Sequence, residues 1–408
     1  MSDDNIVSEP RPVDPNRNFR PGRMIHEITL RNILSFGPDT PPLKLGNLNV
    51  LIGPNGSGKS NLIEAIGLLQ AVPTGVSKAV ENGGTLGDWV WKGGKAKAAS
   101  ISAVISAKDR IPALRHSITI GEDEFYLHLT EETIKLADPD AAPDKSLLYH
   151  ANHWMGELRV DGEMKMINLG SGDAGSSVVE RRRDPEAYPE ISSLDDRYRD
   201  IRIYRDWVFG RKNAIRGPQP VKLRGDRLEE DFSNLIPFLN RKFGTKPAAK
   251  RKLVKVLSAL YEGFSDYELV SESDSLQLYF SEGDMSIRSK RLSDGSLRFL
   301  SMAAVLLDPE PPALICIEEP ELGLHPDVVT KVADLLKEAS KKTQIIVTTH
   351  SDMLVDALND QADRVVVCEK HDGQTRFERL DAERLSSWIK EYGLAELWSR
   401  GTLGGTRW

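Results

Sequence analysis

The stretch LNVLIGPNGSGKSNLIEAIGLLQ, residues 48–70, joins a short apolar run, a glycine-rich loop and an apolar-periodic segment. The run predicts a buried strand and the periodic segment predicts a helix. A glycine loop in this context points successive backbone N–H groups at phosphate oxygens. Lys59 adds a positive charge and Ser60 a hydroxyl for Mg²⁺. We therefore assign nucleoside triphosphate contacts to Gly53, Pro54, Asn55, Gly56, Ser57, Gly58, Lys59, Ser60 and Asn61.

Two later apolar runs end in residues that could act on that triphosphate. ALICIEEPELGLHP, residues 313–326, places Glu318 and Glu319 after a predicted buried strand, and QIIVTTHSDML, residues 344–354, ends its strand near His350. Ligands of open α/β sheets lie at the carboxyl ends of the strands. We expect Glu318 to face Mg²⁺ and Glu319 to orient the attacking water. His350 is expected to donate a hydrogen bond to the γ-phosphate.

A second anion-binding helix start is predicted in KRLSDGSLRFL, residues 290–300. Ser293 is a helix-capping residue, Gly295 permits close backbone approach, and the first turn of the helix carries free N–H groups. The glycine loop lies more than two hundred residues upstream, so one triphosphate would not obviously need both helix starts.

Composition excludes several classes of protein. The chain has 408 residues, 39% hydrophobic and 28% charged, with a net charge of −7. These values are typical of a globular protein, and no apolar run approaches the roughly 20 residues of a membrane span. Cys316 and Cys368 lie in apolar runs, which favours a reducing compartment over a disulfide framework. We expect a cytoplasmic protein without a membrane partner.

The pattern along the chain predicts an α/β nucleotide-binding lobe with a large insertion. Residues 1–23 indicate a flexible tail, and residues 24–193 the first part of the lobe with a β-meander at about 98–169. A mobile loop is expected at 171–177. Helical periodicity at 227–243 and 251–264 indicates a helical lobe spanning 194–264, and residues 265–408 complete the nucleotide-binding lobe.

The order of these motifs resembles the ABC-type ATPase head. EEPELGLHP and TTHSDML are similar to the RecF-like and OLD-like branch of stand-alone bacterial ATPases, and the terminal WSRGTLGGTRW, residues 398–408, resembles the tail of uncharacterised members. The resemblance covers about residues 24–408. It implies an α/β head with the β-meander and helical lobe inserted between the Walker A loop and the signature motif, using ATP and Mg²⁺.

The resemblance also accounts for the second helix start. In ABC-type heads, two ATP molecules are sandwiched in a homodimer, and the signature helix of one protomer covers the ATP of the other. Here the signature would be Leu292, Ser293, Asp294 and Gly295. Asp294 replaces a glycine, Ser296 a glutamine, and Glu318 a common aspartate; the charge of Asp294 is expected to weaken closure. The family's glutamine loop, a further Mg²⁺ contact, is assigned to Gln219 in a Pro-flanked segment before the helical region, because Gln70 lies within the helix after the glycine loop.

Related families fit less well. Transporter heads place the signature about a hundred residues after the loop, whereas Lys59 and Ser293 are 234 positions apart. SMC-like proteins insert long coiled coils, but residues 81–290 lack heptads. OLD nucleases add a TOPRIM domain, yet Glu369 has no Asp-x-Asp behind it. We therefore expect a RecF-like ATPase that hydrolyses ATP to ADP and phosphate as the timing step of a dimerisation switch.

Two roles for that switch follow from the sequence. The main hypothesis is DNA maintenance or repair, and the alternative is a regulatory ATPase of an anti-phage or toxin system that controls an effector such as a nuclease or toxin. Between Asp231 and Glu262 the chain has no acidic residue but seven cations between 241 and 255. Lys250, Arg251 and Lys252 are therefore candidate DNA contacts, although an acidic protein partner would fit the same charges.

Overall fold

A computed structural model describes residues 22–405, except 109–110, 123–126, 139–141, 153–154, 161, 169–175, 260 and 262. The expected N-terminal tail lies outside this range apart from its last two residues. Most of the expected loop at 171–177 and the last three residues of the terminal motif also lie outside it.

Strands in the described residues form three sheets, the first being antiparallel with the order β2-β1-β4-β5-β6-β7-β8-β9. Its members are β1 (Ile25–Arg31), β2 (Leu43–Lys44), β4 (Ala98–Ile105), β5 (Leu114–Glu122), β6 (Leu127–Leu136), β7 (Leu147–Asn152), β8 (Met155–Val160) and β9 (Glu163–Asn168). Strands β4 to β9 each pair with the next along the chain, which is the meander that the alternating runs predict.

The central sheet has the order β10-β15-β16-β3-β17-β18 over the described part of the chain. It comprises β3 (Leu48–Ile52), β10 (Ile201–Tyr204), β15 (Leu314–Glu318), β16 (Gln344–Thr348), β17 (Val365–His371) and β18 (Gln374–Arg379). All neighbours are parallel except β18, which is antiparallel to β17. In register, Glu318 pairs with Thr348 and Thr348 with Leu51, so the motif residues that follow these strands meet at one edge.

A smaller antiparallel sheet joins β11 (Gln219–Pro220), β12 (Phe264–Glu272), β13 (Ser275–Glu282) and β14 (Met285–Arg288). The helices are α1 (Lys59–Ala71), α2 (Val76–Asn82), α3 (Leu86–Trp89), α4 (Pro143–Ser146), α5 (Val178–Arg181), α6 (Pro189–Tyr198), α7 (Leu235–Leu239), α8 (Pro247–Ser258), α9 (Asp294–Leu306), α10 (Pro326–Ala339), α11 (Asp352–Asp356), α12 (Ala382–Tyr392) and α13 (Leu394–Ser399). A π-helical turn at Asn240–Gly244 extends α7, and 3₁₀ turns lie at Ala214–Arg216, Ser289–Arg291 and Ala362–Arg364.

The region predicted to be helical differs from the expectation in two places. The run Ile201–Tyr204 is a strand of the central sheet, paired with β15. The helix expected over 227–243 is confined to α7 and its π-helical turn. The side chain of Asn234 accepts from the Glu229 N–H and donates to the carbonyls of Arg224 and Arg227, and such side-chain bonds favour turns over helix. Helix periodicity alone does not reveal this competition.

Each face of the central sheet is covered by its own apolar core. Val50 and Ile52 face a core shared with α9 and α10, whereas Leu51 faces a core shared with α1 and the antiparallel sheet. This alternation is the two-residue period of a strand buried on both sides. Among the described helices, none combines the length and the apolar character needed to cross a bilayer.

Candidate nucleotide site

The phosphate loop runs from the end of β3 to the start of α1 and has the geometry of an anion cradle. Gly58, the residue before α1, has φ +103, and no side chain caps the helix there. The N–H groups of the first turn can therefore serve a phosphate. Lys59 is 6% exposed, and its Nζ donates to the carbonyls of Gly53 and Pro54 at 2.8 and 3.0 Å. Burial lowers the pKa of Lys59.

Side chains from distant parts of the chain hold this loop in place through hydrogen bonds. Thr375 on β18 donates through Oγ1 to the Ser57 carbonyl at 2.8 Å, and the same hydroxyl is hydrogen-bonded to Ser35 Oγ at 2.7 Å. Asn61 donates to the same Ser35 hydroxyl at 2.8 Å. A Cβ on Gly58 would lie 2.2 Å from Thr375 Oγ1, so only glycine fits this position.

Ser60 and Glu318 meet where the metal site is predicted. Ser60 Oγ donates to Glu318 Oε2 at 3.0 Å, and burial raises the pKa of the Glu318 carboxyl. A hydroxyl and a carboxylate at this spacing are the hard oxygen donors that Mg²⁺ takes beside nucleotide phosphates, so these residues fit the ion. Arg205, directly after β10, lies 3.7 Å from Glu318 Oε1 through its Nε and donates from Nη1 to Glu64 at 2.5 Å.

Glu319 and His350 lie side by side at the same edge of the sheet, with His350 Nε2 3.8 Å from Glu319 Oε1. Glu319 has a left-handed backbone, φ +46, and its N–H donates to the Thr348 carbonyl at 3.0 Å. Positive φ is costly for glutamate and is often found at functional sites. The carboxylate and the imidazole therefore lie next to each other after neighbouring strands; their action on a γ-phosphate and its attacking water stays a prediction.

Glu321 is a site residue that sequence reasoning missed. Its Oε1 accepts from Thr349 Oγ1 at 2.7 Å and from the His350 N–H at 2.8 Å, and burial raises the pKa of its carboxyl. It therefore fixes the backbone that carries His350. The signal was the third carboxylate of EEPE, two residues beyond the pair that drew attention.

Arg205 was also missed, because a cation after a four-residue strand matches no motif. Trp207, two residues further on, donates from Nε1 to the Glu318 carbonyl at 2.9 Å. The Trp207 carbonyl accepts from Arg298 Nη2 at 2.6 Å, and the Arg298 guanidinium lies 5.9 Å from the Trp207 ring centroid. Since Arg298 belongs to α9, this segment connects the predicted metal site to the predicted signature helix.

The predicted signature residues stand at the start of α9. Ser293 is exposed and its Oγ accepts from the Ser296 N–H at 3.0 Å, while Leu292 is buried. The Asp294 carboxylate pairs with Arg216, whose buried guanidinium also donates to the Leu292 carbonyl at 2.7 Å. Asp294 thus has a counter-charge within its own chain, which offsets the repulsion expected from the sequence. The trans role of these residues, with Gly295, stays a prediction.

The hydrogen bond of the Gln219 side chain joins it to the start of α7 and not to Ser60 or Glu318. It is 2% exposed on β11, and its Oε1 accepts from the Ile236 N–H at 3.0 Å at the start of α7. Its Nε2 has no hydrogen-bond partner among the described residues. Arg205, and not Gln219, follows β10, the strand that pairs with β15. The Pro-flanked sequence around Gln219 does not indicate this. The metal contact of Gln219 stays a prediction.

Four of the seven cations of the basic segment lie close to acidic residues from other elements. Lys250 lies 2.9 Å from Asp266, and Lys252 lies 3.9 Å from Glu338. Glu310 pairs with both Lys242 and Lys246, at 2.9 and 2.5 Å. Arg251 is exposed on α8. The one-sided run in the sequence is therefore not an unpaired basic surface, because the compensating carboxylates come from other elements.

The fold and this arrangement define an ABC-type ATPase head. The chain belongs to the family described as "AAA domain, putative AbiEii toxin, Type IV TA system", whose model matches residues 48–356. The match includes the phosphate loop, the signature region, the Glu318–Glu319 pair and His350. Membership of a P-loop ATPase family implies ATP binding.

Curated relatives are similar over shorter stretches. The chain is 28% identical to the Retron Ec83 probable ATPase of Escherichia coli over 151 residues, which are 33% of this chain and 28% of that protein. It is 24% identical to the chromosome partition protein Smc of Pyrococcus furiosus over 200 residues, which are 44% of this chain and 16% of Smc. The chain therefore spans less than a third of the length of each relative.

Solved structures support the fold. An Smc head domain with an extended coiled coil, bound to the C-terminal domain of ScpA from Pyrococcus furiosus, matches with a TM-score of 0.55 and 18% identity. The match covers 90% of this chain and 99% of that one. A second Smc head, bound to the C-winged helix domain of ScpA, gives the same TM-score over 88% of this chain. The expectation of an ABC-type head is thereby confirmed.

Proposed function

We propose that this chain is an ATP hydrolase that closes as a homodimer around two ATP–Mg²⁺ molecules and thereby controls an effector protein in a bacterial defence system. The observation that carries the catalytic part is the Glu319–His350 pair at 3.8 Å, beside the Ser60–Glu318 pair at 3.0 Å. Glu319 orients the water that attacks the γ-phosphate, His350 holds the γ-phosphate, and Lys59 binds the β- and γ-phosphates. Mg²⁺, held by Ser60 and Glu318, neutralises developing phosphate charge.

Exposed apolar side chains around the motif residues support ATP-dependent association. Leu322 is 51% exposed three residues after Glu319, and Met353 is 37% exposed three residues after His350. Val208, beside Trp207, is 69% exposed. Large apolar side chains next to a charged site are a feature of surfaces that become buried on binding. A second copy placed over this edge would cover them and bring its own Ser293 to the γ-phosphate.

Similarity to the retron ATPase and to the AbiEii-described family supports a defence role more than DNA maintenance. Acidic residues also lie close to Lys242, Lys246, Lys250 and Lys252, four of the seven cations that supported a DNA contact. Likeness to Smc heads lies below 25% identity in the solved structures and speaks for the fold alone. We therefore favour the effector-control hypothesis that the sequence left as the alternative.

Replacing Glu319 by glutamine tests both parts of the proposal. Glu319→Gln keeps the shape of the side chain but removes the base, so hydrolysis should fall about a hundredfold while ATP affinity stays within about threefold. Colorimetric phosphate release and equilibrium titration with an ATP analogue measure the two quantities. Glu163→Gln, an exposed change on edge strand β9, is the matched control.

The same pair of variants, placed in a native host with the neighbouring genes intact, tests the role. Glu319→Gln should abolish protection against phage in plating assays while leaving survival after DNA damage unchanged; Glu163→Gln should behave as wild type in both. Damage sensitivity with unchanged phage resistance would instead support DNA maintenance. Unaltered phosphate release by Glu319→Gln would remove the catalytic assignment altogether.

A further inference from the structure

Gly405, the last described residue, lies against the phosphate loop; we call Gly401–Gly405 the C-terminal strap. A Cβ on Gly405 would lie 3.3 Å from Gly53 Cα and 2.9 Å from Val367 Cγ1, and Gly405 has φ +62. Both the close approach and the left-handed backbone require glycine. The double glycine of the terminal motif therefore has a location that the sequence did not reveal: it touches the first residue of the ATP-binding loop.

Both backbone polar groups of Gly405 are held by side chains of their own chain. The Gly405 N–H donates to Glu369 Oε1, and the Gly405 carbonyl accepts from Trp398 Nε1 at 2.9 Å. Trp398 is fully buried on α13, and Glu369 Oε2 lies 3.0 Å from His371 Nε2. The Gly405 N–H lowers the pKa of the Glu369 carboxyl, which keeps this acceptor ionised near neutral pH. The strap is thus fastened at the point where it meets the loop.

Gly53 links the strap to Lys59, the proposed phosphate-binding lysine. The Gly53 carbonyl accepts from Lys59 Nζ at 2.8 Å, so a displacement of Gly53 changes the starting position of the ammonium group. A Cβ on Gly53 would lie 2.2 Å from the Cys368 carbonyl on β17. Gly53 is therefore enclosed by β17 and the strap. Removing one wall gives the loop more conformations, and ordering it around a triphosphate then costs more free energy.

We propose that the C-terminal strap is a positioning element of the ATP site, with Glu369 and Trp398 as the positioning residues that set the affinity for triphosphate. This inference rests on the proposed ATP-binding function of the phosphate loop. The side chains that hold Gly405 are Glu369 and Trp398, and Gly405 lies against Gly53, so the inference assigns the strap to binding and not to the hydrolytic step. A role limited to fastening the end of the chain would change folding stability and leave the affinity of the folded protein unaltered.

Glu369→Ala removes the charged acceptor, Glu369→Gln keeps an acceptor oxygen, and Trp398→Phe keeps the aromatic packing but loses the N–H. The full chain is titrated with a fluorescent ATP analogue, and hydrolysis is measured at saturating ATP. Glu369→Ala and Trp398→Phe should each raise Kd about tenfold, since each removes a hydrogen bond that fixes the strap. Glu369→Gln should recover part of the loss. The hydrolysis rate at saturation should stay within about twofold in all three.

Glu378→Ala, an exposed change on the neighbouring strand β18, is the matched control and should bind as wild type. Thermal unfolding without nucleotide separates affinity from folding. Wild-type Kd in folded Glu369→Ala and Trp398→Phe overturns the inference, as does a tenfold loss confined to hydrolysis at saturation. Failure of wild-type protein to bind the analogue, or equal binding by Lys59→Ala, would count against the ATP site itself and not against the strap.

Discussion

The phosphate loop and the start of α9 use the same device, a helix N-terminus prepared for an anion, but they are completed differently. At the loop, Ser57 and Lys59 are almost fully buried, and Thr375 and the C-terminal strap support the backbone from two sides. At α9, Ser293 is exposed and the Asp294 side chain is 69% exposed. The predicted anion site at the loop is supported by buried residues of its own chain, whereas the one at α9 faces solvent.

Under the proposed function, this difference indicates which part of the site a second molecule would complete. Asp294 is held by Arg216 and Ser293 caps the Ser296 N–H, so the start of α9 is fixed in shape, while Ser293 and Asp294 stay exposed among the described residues. A rigid and uncovered anion site suits a ligand that arrives on another protomer. Under the proposed function, that ligand is the γ-phosphate of the partner's ATP.

Lys59→Ala should have the largest effect, because it breaks the site that is complete within one chain. The change removes the buried ammonium that neutralises the β- and γ-phosphates, so ATP affinity should fall by about a hundredfold or more. Equilibrium titration with an ATP analogue measures this. Lys78→Ala, an exposed change on α2, is the control. Near-wild-type affinity in Lys59→Ala would mean that the loop does not bind the triphosphate.

Ser293→Arg should have an intermediate effect, because it breaks only the uncovered site. The larger side chain fills the contact expected with the partner, so ATP binding by the monomer should change less than about threefold while ATP-dependent dimerisation is lost. Light scattering of Glu319→Gln with ATP, with and without Ser293→Arg, measures closure. A dimer that persists in the double variant contradicts the trans role of α9.

The smallest of the three effects is expected when Lys250, Arg251 and Lys252 are reversed to glutamate and nucleic-acid binding is measured. Two of these cations already face Asp266 and Glu338, so few charges are left to release counterions from DNA. Fluorescence anisotropy with duplex DNA at low salt should show weak binding that changes less than about threefold. If the Kd of the wild-type protein for DNA is the same at high and low salt, the result agrees with the expected weak contact. If the Kd depends steeply on salt and the triple variant loses this dependence, the DNA hypothesis is restored.

Motifs that are defined by residues close together in the chain were predictable from the sequence. The phosphate loop, the strands before Glu318 and His350, and the helix begun by Pro326 all follow from local periodicity and end signals. The long-range contacts that hold these motifs in place were not predictable. Thr375 and Gly405 reach the loop from more than three hundred positions away, and no local pattern encodes such contacts.

Charge patterns misled for the same reason. The run around Lys250 reads as a basic surface only while its partners, far along the chain, are ignored. Likewise, the sequence predicts that Asp294 repels phosphate, because its counter-charge, Arg216, lies 78 positions earlier and is not visible as a neighbour in the sequence. In both cases the sequence fixes the charge of a segment but not the carboxylate or guanidinium that tertiary structure places beside it.

The left-handed backbone of Glu319 has an evolutionary consequence. Glycine or asparagine at this position would relieve a conformational cost on the order of 1 kcal/mol, because both tolerate positive φ better than glutamate does. Selection for stability alone would therefore drift this position away from glutamate. Under the proposed function, the carboxylate that orients the attacking water outweighs this strain, and a lineage released from ATP hydrolysis would gain stability by losing Glu319.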